Sequence, residues 1–260
     1  MITNERANRG EINMKIFIAV HNKLPDFIKY KEYLPIQVGA VNSEQITEIK
    51  DNTGDNISEK NPNYCELTGL YWIWKNCDED IVGLVHYRRF FFAKSIILDF
   101  KNILPPKKIN KILESKDIIV PEKGHLFFKT VKQQYDKGHI VDDLEKCGDV
   151  INELTPEYSN SFDKVINRNW YYPCNMLITR KEIFDDYCEW LFKILGELEN
   201  RIEYKERSGY NARVFGFLSE RLFNVWLDKN ELKIKELPIY NVELKMIPQE
   251  CASLIKKVIK

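Results

Sequence analysis

IVGLVHYRRFFF, residues 81–92, is the stretch on which the fold turns. Its first half reads as a buried strand: Ile81, Val82, Leu84 and Val85 are aliphatic, and Gly83 is slim enough for close packing. A strand apolar on both faces belongs to a sheet covered on both sides by helices, the habit of parallel sheets. With no turn residue, the chain then delivers His86, Tyr87, Arg88 and Arg89 before returning to phenylalanine. Two adjacent arginines at the end of a core strand need a reason.

Outward from this strand the pattern alternates. KIFIAV (15–20) reads as a first strand and PIQVGA (35–40) as a second, followed by a polar loop, 51–63, with no core positions. The run YCELTGLYWIWK (64–75) reads as one buried helix, and DIIVP (117–121) as a strand. Helices are expected over 132–146 and 153–167, then a strand over 173–179. A long amphipathic helix over 181–199, a second helix over 214–227 and a last strand over 236–242 complete the chain. Strands alternating with helices predict an α/β fold with a mainly parallel central sheet. In such sheets ligands bind outside the carboxyl ends of the strands. Three polar groups fall just past strand ends: His21-Asn22-Lys23, His86 to Arg89, and the region of Asn175.

Composition narrows the function. The 260 residues suit one large domain. Thirty-nine basic residues balance thirty-nine acidic ones, so no overall field draws nucleic acid, and an anion site has to be local. The six cysteines, at 65, 77, 147, 174, 188 and 251, show no metal or disulfide spacing and read as reduced thiols of a cytoplasmic protein. No signal peptide is expected, and no apolar run reaches the roughly 18 residues that a spanning helix needs. Residues 1–13 lack hydrophobic periodicity and are expected to be a disordered or non-native extension, with the folded domain over 14–260.

The succession MKIFIAVHNK, PIQVGA, TGDNISEKNPNYCELTGLYWIWKN, DIVGLVHYRRFF, QQYDKGHIVDDL, NMLITRKEIFDDYCEWLFKIL and RVFGFLSERLFNVWL resembles a family of bacterial capsular and exopolysaccharide biosynthesis proteins. The HYRR and ELT-LYW-WKN signatures belong to a domain-of-unknown-function group regarded as glycosyltransferases with a GT-A-like fold. The resemblance implies transfer of a hexosyl unit, galactose in pyranose or furanose form, from a UDP-sugar donor. The acceptor would be a glycan or lipid-linked oligosaccharide in capsule, exopolysaccharide or lipopolysaccharide synthesis, with inversion. It also implies work in the cytoplasm, in peripheral contact with the inner face of the membrane.

Such an enzyme must neutralise the diphosphate as the glycosidic bond breaks. Most GT-A relatives use a metal on an Asp-x-Asp motif at the central strand end, where this chain reads His86-Tyr87-Arg88-Arg89. Arginine supplies fixed, bidentate donors for phosphate oxygens, so no metal cofactor is expected. A divalent ion such as Mn or Mg, held by His86 with acids elsewhere, is the alternative. In an extended strand His86 and Arg88 would share one face and Tyr87 and Arg89 the other. A purely structural role, an arginine tied to Asp78, Glu79 or Asp80, competes with ligand binding.

The remaining candidates follow the same logic. His21 at the first strand end, Asn56 and Ser58 in the polar loop, and Glu66 in the aromatic helix are expected donor contacts. Tyr135 and Asn175 are candidate sugar or acceptor contacts. For the base that deprotonates the acceptor hydroxyl, Glu220 in GFLSERL is the first choice. Arg213 or Arg221 beside it would lower its pKa. His139, on a shared helix face with Tyr135 and oriented by Asp142, is the second. The GHLFF segment before it is a candidate flap. Two other classes compete: a degenerate nucleotide-sugar-binding or scaffold subunit of a polysaccharide assembly complex, and a sugar nucleotidyltransferase. AVHNKLP after the first strand lacks the Gly-rich phosphate loop expected of the last.

Overall fold

The computed structural model describes residues 12–21, 28–93 and 103–241. Expectations for Asn22, Lys23 and Cys251, and for residues 1–11, fall outside them.

The chain builds β1 (Met14–Val20), β2 (Tyr33–Gln37) and β3 (Ile49–Lys50), then α1 (Asn61–Tyr64), α2 (Leu67–Asn76), β4 (Ile81–His86) and β5 (Arg89–Phe91). Next come α3 (Pro106–Leu113), β6 (Ile118–Pro121), β7 (Gly124–His125), α4 (Val131–Gly138), α5 (Val141–Leu154), α6 (Ser159–Asn167) and β8 (Trp170–Tyr171). β9 (Leu177–Arg180), α7 (Lys181–Arg201), α8 (Val214–Lys229), β10 (Ile234–Leu237) and β11 (Ile239–Asn241) follow.

The main sheet runs β10-β6-β9-β4-β1-β2-β3. β1 lies parallel to β2 and β4, and β6 parallel to β10, but β9 is antiparallel to both β4 and β6. The fold is therefore the expected α/β class, a mostly parallel sheet flanked by helices, with one reversed strand at its middle. Gly83 explains how β9 can lie against β4. A Cβ there would stand 2.7 Å from Ile178 Cγ1 and 2.8 Å from the Leu177 carbonyl oxygen.

Apolar clusters fill both faces of the sheet. One joins Phe17, Val82 and Leu84 to α2, α5, α7 and α8; the other joins Ile16, Ile18 and Val85 to Phe90–Phe92 and Leu104. α7 shows the helical period that fixes its orientation: Phe184, Tyr187, Cys188, Leu191, Ile194, Leu195 and Leu198 form its buried stripe. Each fully buried Leu or Ile of that stripe contributes about 1.5–3 kcal/mol.

Several boundaries differ from expectation, each for a physical reason. The 64–75 helix is two helices: Cys65, with φ 55°, breaks it and leaves Glu66 to start α2. The 132–146 helix is likewise broken, because His139 is extended at φ −142° and closes α4. Strand 173–179 begins only at Leu177, after Cys174 takes φ 65°. The 153–167 helix starts only at Ser159, because Pro156 opens a separate 3-10 turn after α5 ends at Leu154.

The 51–63 segment is not a solvated loop without core positions. Asp51 is wholly buried and accepts hydrogen bonds from the Gly39 and Ala40 N–H groups at 2.7 and 3.0 Å. It also accepts from the Ser58 and Thr68 hydroxyls, both at 2.6 Å. Composition misled because a buried carboxylate with every lone pair occupied looks, in sequence, like an exposed one.

Candidate functional site

The carboxyl ends of β1 and β4 and the start of α8 enclose a cleft of about 530 Å³. His21 comes from β1, Glu66 from the break before α2, His86 from β4, and Arg213 and Glu220 from the start of α8. Arg88 and Arg89 line it together with Tyr87. The expected two-faced alternation fails because β4 ends at His86. Tyr87 and Arg88 form a tight turn, and Arg89 pairs back across from His86 as β5. That turn bends all four side chains to one cleft.

Two of the acids expected to tie the arginines structurally, Glu79 and Asp80, are engaged elsewhere. Glu79 pairs with Lys15 and Asp80 accepts from the Asn13 N–H at 3.0 Å, both at the opposite end of β4. Arg88 instead lies over the Tyr87 ring, 5.5 Å from its centroid.

Buried polar contacts hold the acids. Asn175 donates to Glu66 Oε1 at 2.7 Å and to the Gly216 carbonyl at 3.2 Å, while Ser219 Oγ donates to Asn175 Oδ1 at 3.0 Å. Asn175 is thus fully buried behind the cleft and aims Glu66 into it. His86 Nε2 stands 3.9 Å from Glu66 Oε1 and is buried without a hydrogen-bond partner. Burial pushes the His86 pKa below its ordinary value, Glu66 opposes this, and Arg89 and Arg88 push it further down. Burial and the arginines thus favour the uncharged imidazole.

Glu220 lies against Arg221, with Oε2 to Nη1 at 3.1 Å. The expected lowering by arginine is outweighed: burial raises the Glu220 pKa above its ordinary value, Arg221 pulls it down, and Glu66 pushes it up. A raised carboxylate pKa in a cleft suits a base better than a depressed one. Arg221 is itself buried, donating to the Phe217 carbonyl at 3.0 Å and to Gln134 Oε1 at 2.6 Å.

The second expected base does not assemble. Asp142 turns away to Lys146 at 2.7 Å, and His139 inserts among Tyr135, Tyr210 and Phe217. Burial, aided by Arg221, lowers the His139 pKa to about 4. Tyr135 is fully buried behind that ring and does not line the cleft. Asn56 and Ser58 do not reach it either. Asn56 Nδ2 bonds to the Gly54 carbonyl at 2.9 Å, and Ser58 serves Asp51. The GHLFF segment leaves Phe127 and Phe128 exposed and away from the cleft.

Sequence reasoning missed Asn61, Cys65, Tyr210 and Phe217 as cleft residues and treated Arg213 only as a partner for Glu220. Arg213 Nε donates to Cys65 Sγ at 3.1 Å. Among the described residues, no group of three or more His, Cys, Asp or Glu side chains is arranged to hold a metal ion. Among the described residues, no helix is long and apolar enough to cross a membrane.

A solved structure described as the apo form of WbbM, a bifunctional glycosyltransferase, matches this fold with a TM-score of 0.81 and 34% sequence identity. The match covers 88% of this chain and 45% of that one, so this chain spans under half the length of that protein. No curated protein matches. Residues 15–231 match the family described as Domain of unknown function (DUF4422), and the chain belongs to that family.

Proposed function

We propose that this chain is a glycosyltransferase domain that moves a hexosyl unit from a uridine diphosphate sugar to a glycan or lipid-linked oligosaccharide acceptor. The observation that carries the reading is the cleft in which Arg88, Arg89 and Arg213 face Glu66 and Glu220 in an otherwise neutral chain. The likeness to a bifunctional glycosyltransferase supports the reaction class. The family resemblance supports galactose, in pyranose or furanose form, and a role in capsule, exopolysaccharide or lipopolysaccharide synthesis at the inner face of the cytoplasmic membrane.

In this mechanism the arginines take the diphosphate oxygens, whose negative charge grows as the bond from the anomeric carbon to phosphate oxygen breaks. Glu220 accepts the proton of the acceptor hydroxyl as that oxygen bonds to the anomeric carbon. Uridine diphosphate leaves, and the configuration inverts. His86, uncharged, leaves the cleft's positive charge to the arginines. Asn175 holds Glu66 in place.

Calorimetry with uridine diphosphate tests donor binding. In at least one of Arg88→Ala and Arg89→Ala, affinity should fall roughly 10- to 150-fold, the equivalent of one charged hydrogen bond. Unchanged affinity in both variants would remove the assignment. Because arginines stand at the strand end where an Asp-x-Asp would hold a metal, turnover is expected to persist in chelator. A complete loss that manganese restores would show that the arginines do not carry the charge alone. A panel of nucleotide sugars that bind but are neither hydrolysed nor transferred would reduce the domain to a binding subunit.

A further inference from the structure

Tyr210 is the exposed aromatic residue of the cleft. It is 58% exposed, yet it stacks on His139 with ring centroids 5.5 Å apart and planes 11° from parallel. Phe217, also lining the cleft, packs against both rings at 4.7 and 4.1 Å. One face of Tyr210 is thus covered by a flat partner, and the residue lines the cleft with more than half of its surface exposed.

The segment that presents this ring is pinned on both sides. The 3-10 turn Gly209–Arg213 carries it. Before the turn, Arg207 makes a two-pronged ion pair with the buried Asp143, with Nη2 to Oδ1 at 2.8 Å. At its end, Asn63 Nδ2 donates to the Ala212 carbonyl at 2.8 Å, tying the turn to α1. An exposed tyrosine on a mobile loop needs no explanation, but one held by its backbone, by an ion pair and by a parallel ring does.

The geometry points to Tyr210 as the platform on which the acceptor sugar lays its apolar ring face, which rests on the transferase reading above. Pyranose and furanose rings present C–H groups on one face, and an aromatic face attracts them while ring hydroxyls remain free for polar partners. The placement selects the acceptor over the donor base. Tyr210 precedes α8, whose first turns carry Glu220, the group that must touch the acceptor hydroxyl. Arg213 closes the same turn and marks its donor side, and the rest of the uridine diphosphate is assigned to the β1 and β4 ends with His21, Arg88 and Arg89.

The test uses octyl hexopyranosides as acceptors, the uridine diphosphate hexose that the wild type turns over as donor, and uridine diphosphate alone as the donor-side binding probe. Tyr210→Ala should raise the acceptor KM roughly 3- to 10-fold, in line with the extra energy of aromatic contacts, and Tyr210→Phe should restore it. Saturation-transfer NMR on the wild type should mark the ring C–H protons of one sugar face, and the mark should fade in Tyr210→Ala. If Tyr210→Ala loses uridine diphosphate affinity instead, the ring serves the donor base and the platform is wrong. If the acceptor KM and the NMR contacts stay unchanged while donor binding is intact, the platform alone falls. If the wild type neither binds uridine diphosphate nor turns over any nucleotide sugar, the transferase reading falls and takes the platform with it.

Discussion

Glu220→Gln should leave uridine diphosphate affinity within about twofold of the wild type while turnover falls by roughly 100- to 10,000-fold, the usual contribution of a positioned general base. Glutamine keeps the shape and the contact with Arg221 but cannot accept a proton. The pH profile supplies an independent check. Burial raises the Glu220 pKa, so the working carboxylate is lost as pH falls through that raised value. The acid limb of turnover should therefore lie above the ordinary carboxylate range and disappear in the variant. Near-normal turnover in Glu220→Gln would return the glutamate to structure. His139 is no substitute, since its pKa near 4 and its three aromatic neighbours make it a poor base.

The second large effect concerns stability. Asp51→Ala should cost roughly 3–5 kcal/mol, because two backbone N–H groups are left buried without an acceptor and two hydroxyls lose a charged partner. The urea midpoint should drop with little change in its slope. Ser58→Ala, which removes one donor and leaves the carboxylate in place, should cost about 1 kcal/mol. A loss below about 1 kcal/mol in Asp51→Ala would mean that the turn after β2 does not depend on this carboxylate.

The strand ends were the legible part of this chain. Apolar runs with slim Gly83 mark β4, and the same run announces the cations that line the cleft, while Glu66 was named from the aromatic helix and Glu220 from the family resemblance. The rest was hidden for specific reasons. Cys65 breaks a continuous aromatic run with a left-handed residue where neither glycine nor asparagine gives warning. The tight turn at Tyr87-Arg88 carries none of the residues that signal a hairpin. Arg213, Tyr210 and Phe217 reach the cleft only because α8 packs beside α1, a long-range contact with no local signature. Asn175 was expected to contact sugar or acceptor, but it is buried behind Glu66 through an interior hydrogen bond that spacing does not reveal.

The reversed strand has a consequence for the order in which the chain can assemble. β4 takes β1 on one side from its own neighbourhood in the chain, but its other side waits for residues 177–180. Until those residues leave the ribosome, the row of N–H and C=O groups on that side of Ile81 to Leu84 has no native partner. β6 is worse placed, because both of its neighbours, β9 and β10, come later still. During synthesis this buried, apolar strand is therefore an open edge, the kind of template to which other nascent chains add. Chaperone demand in the cell should peak while the chain is between roughly residues 90 and 180 long, and synonymous codons that slow that interval should lower the soluble yield.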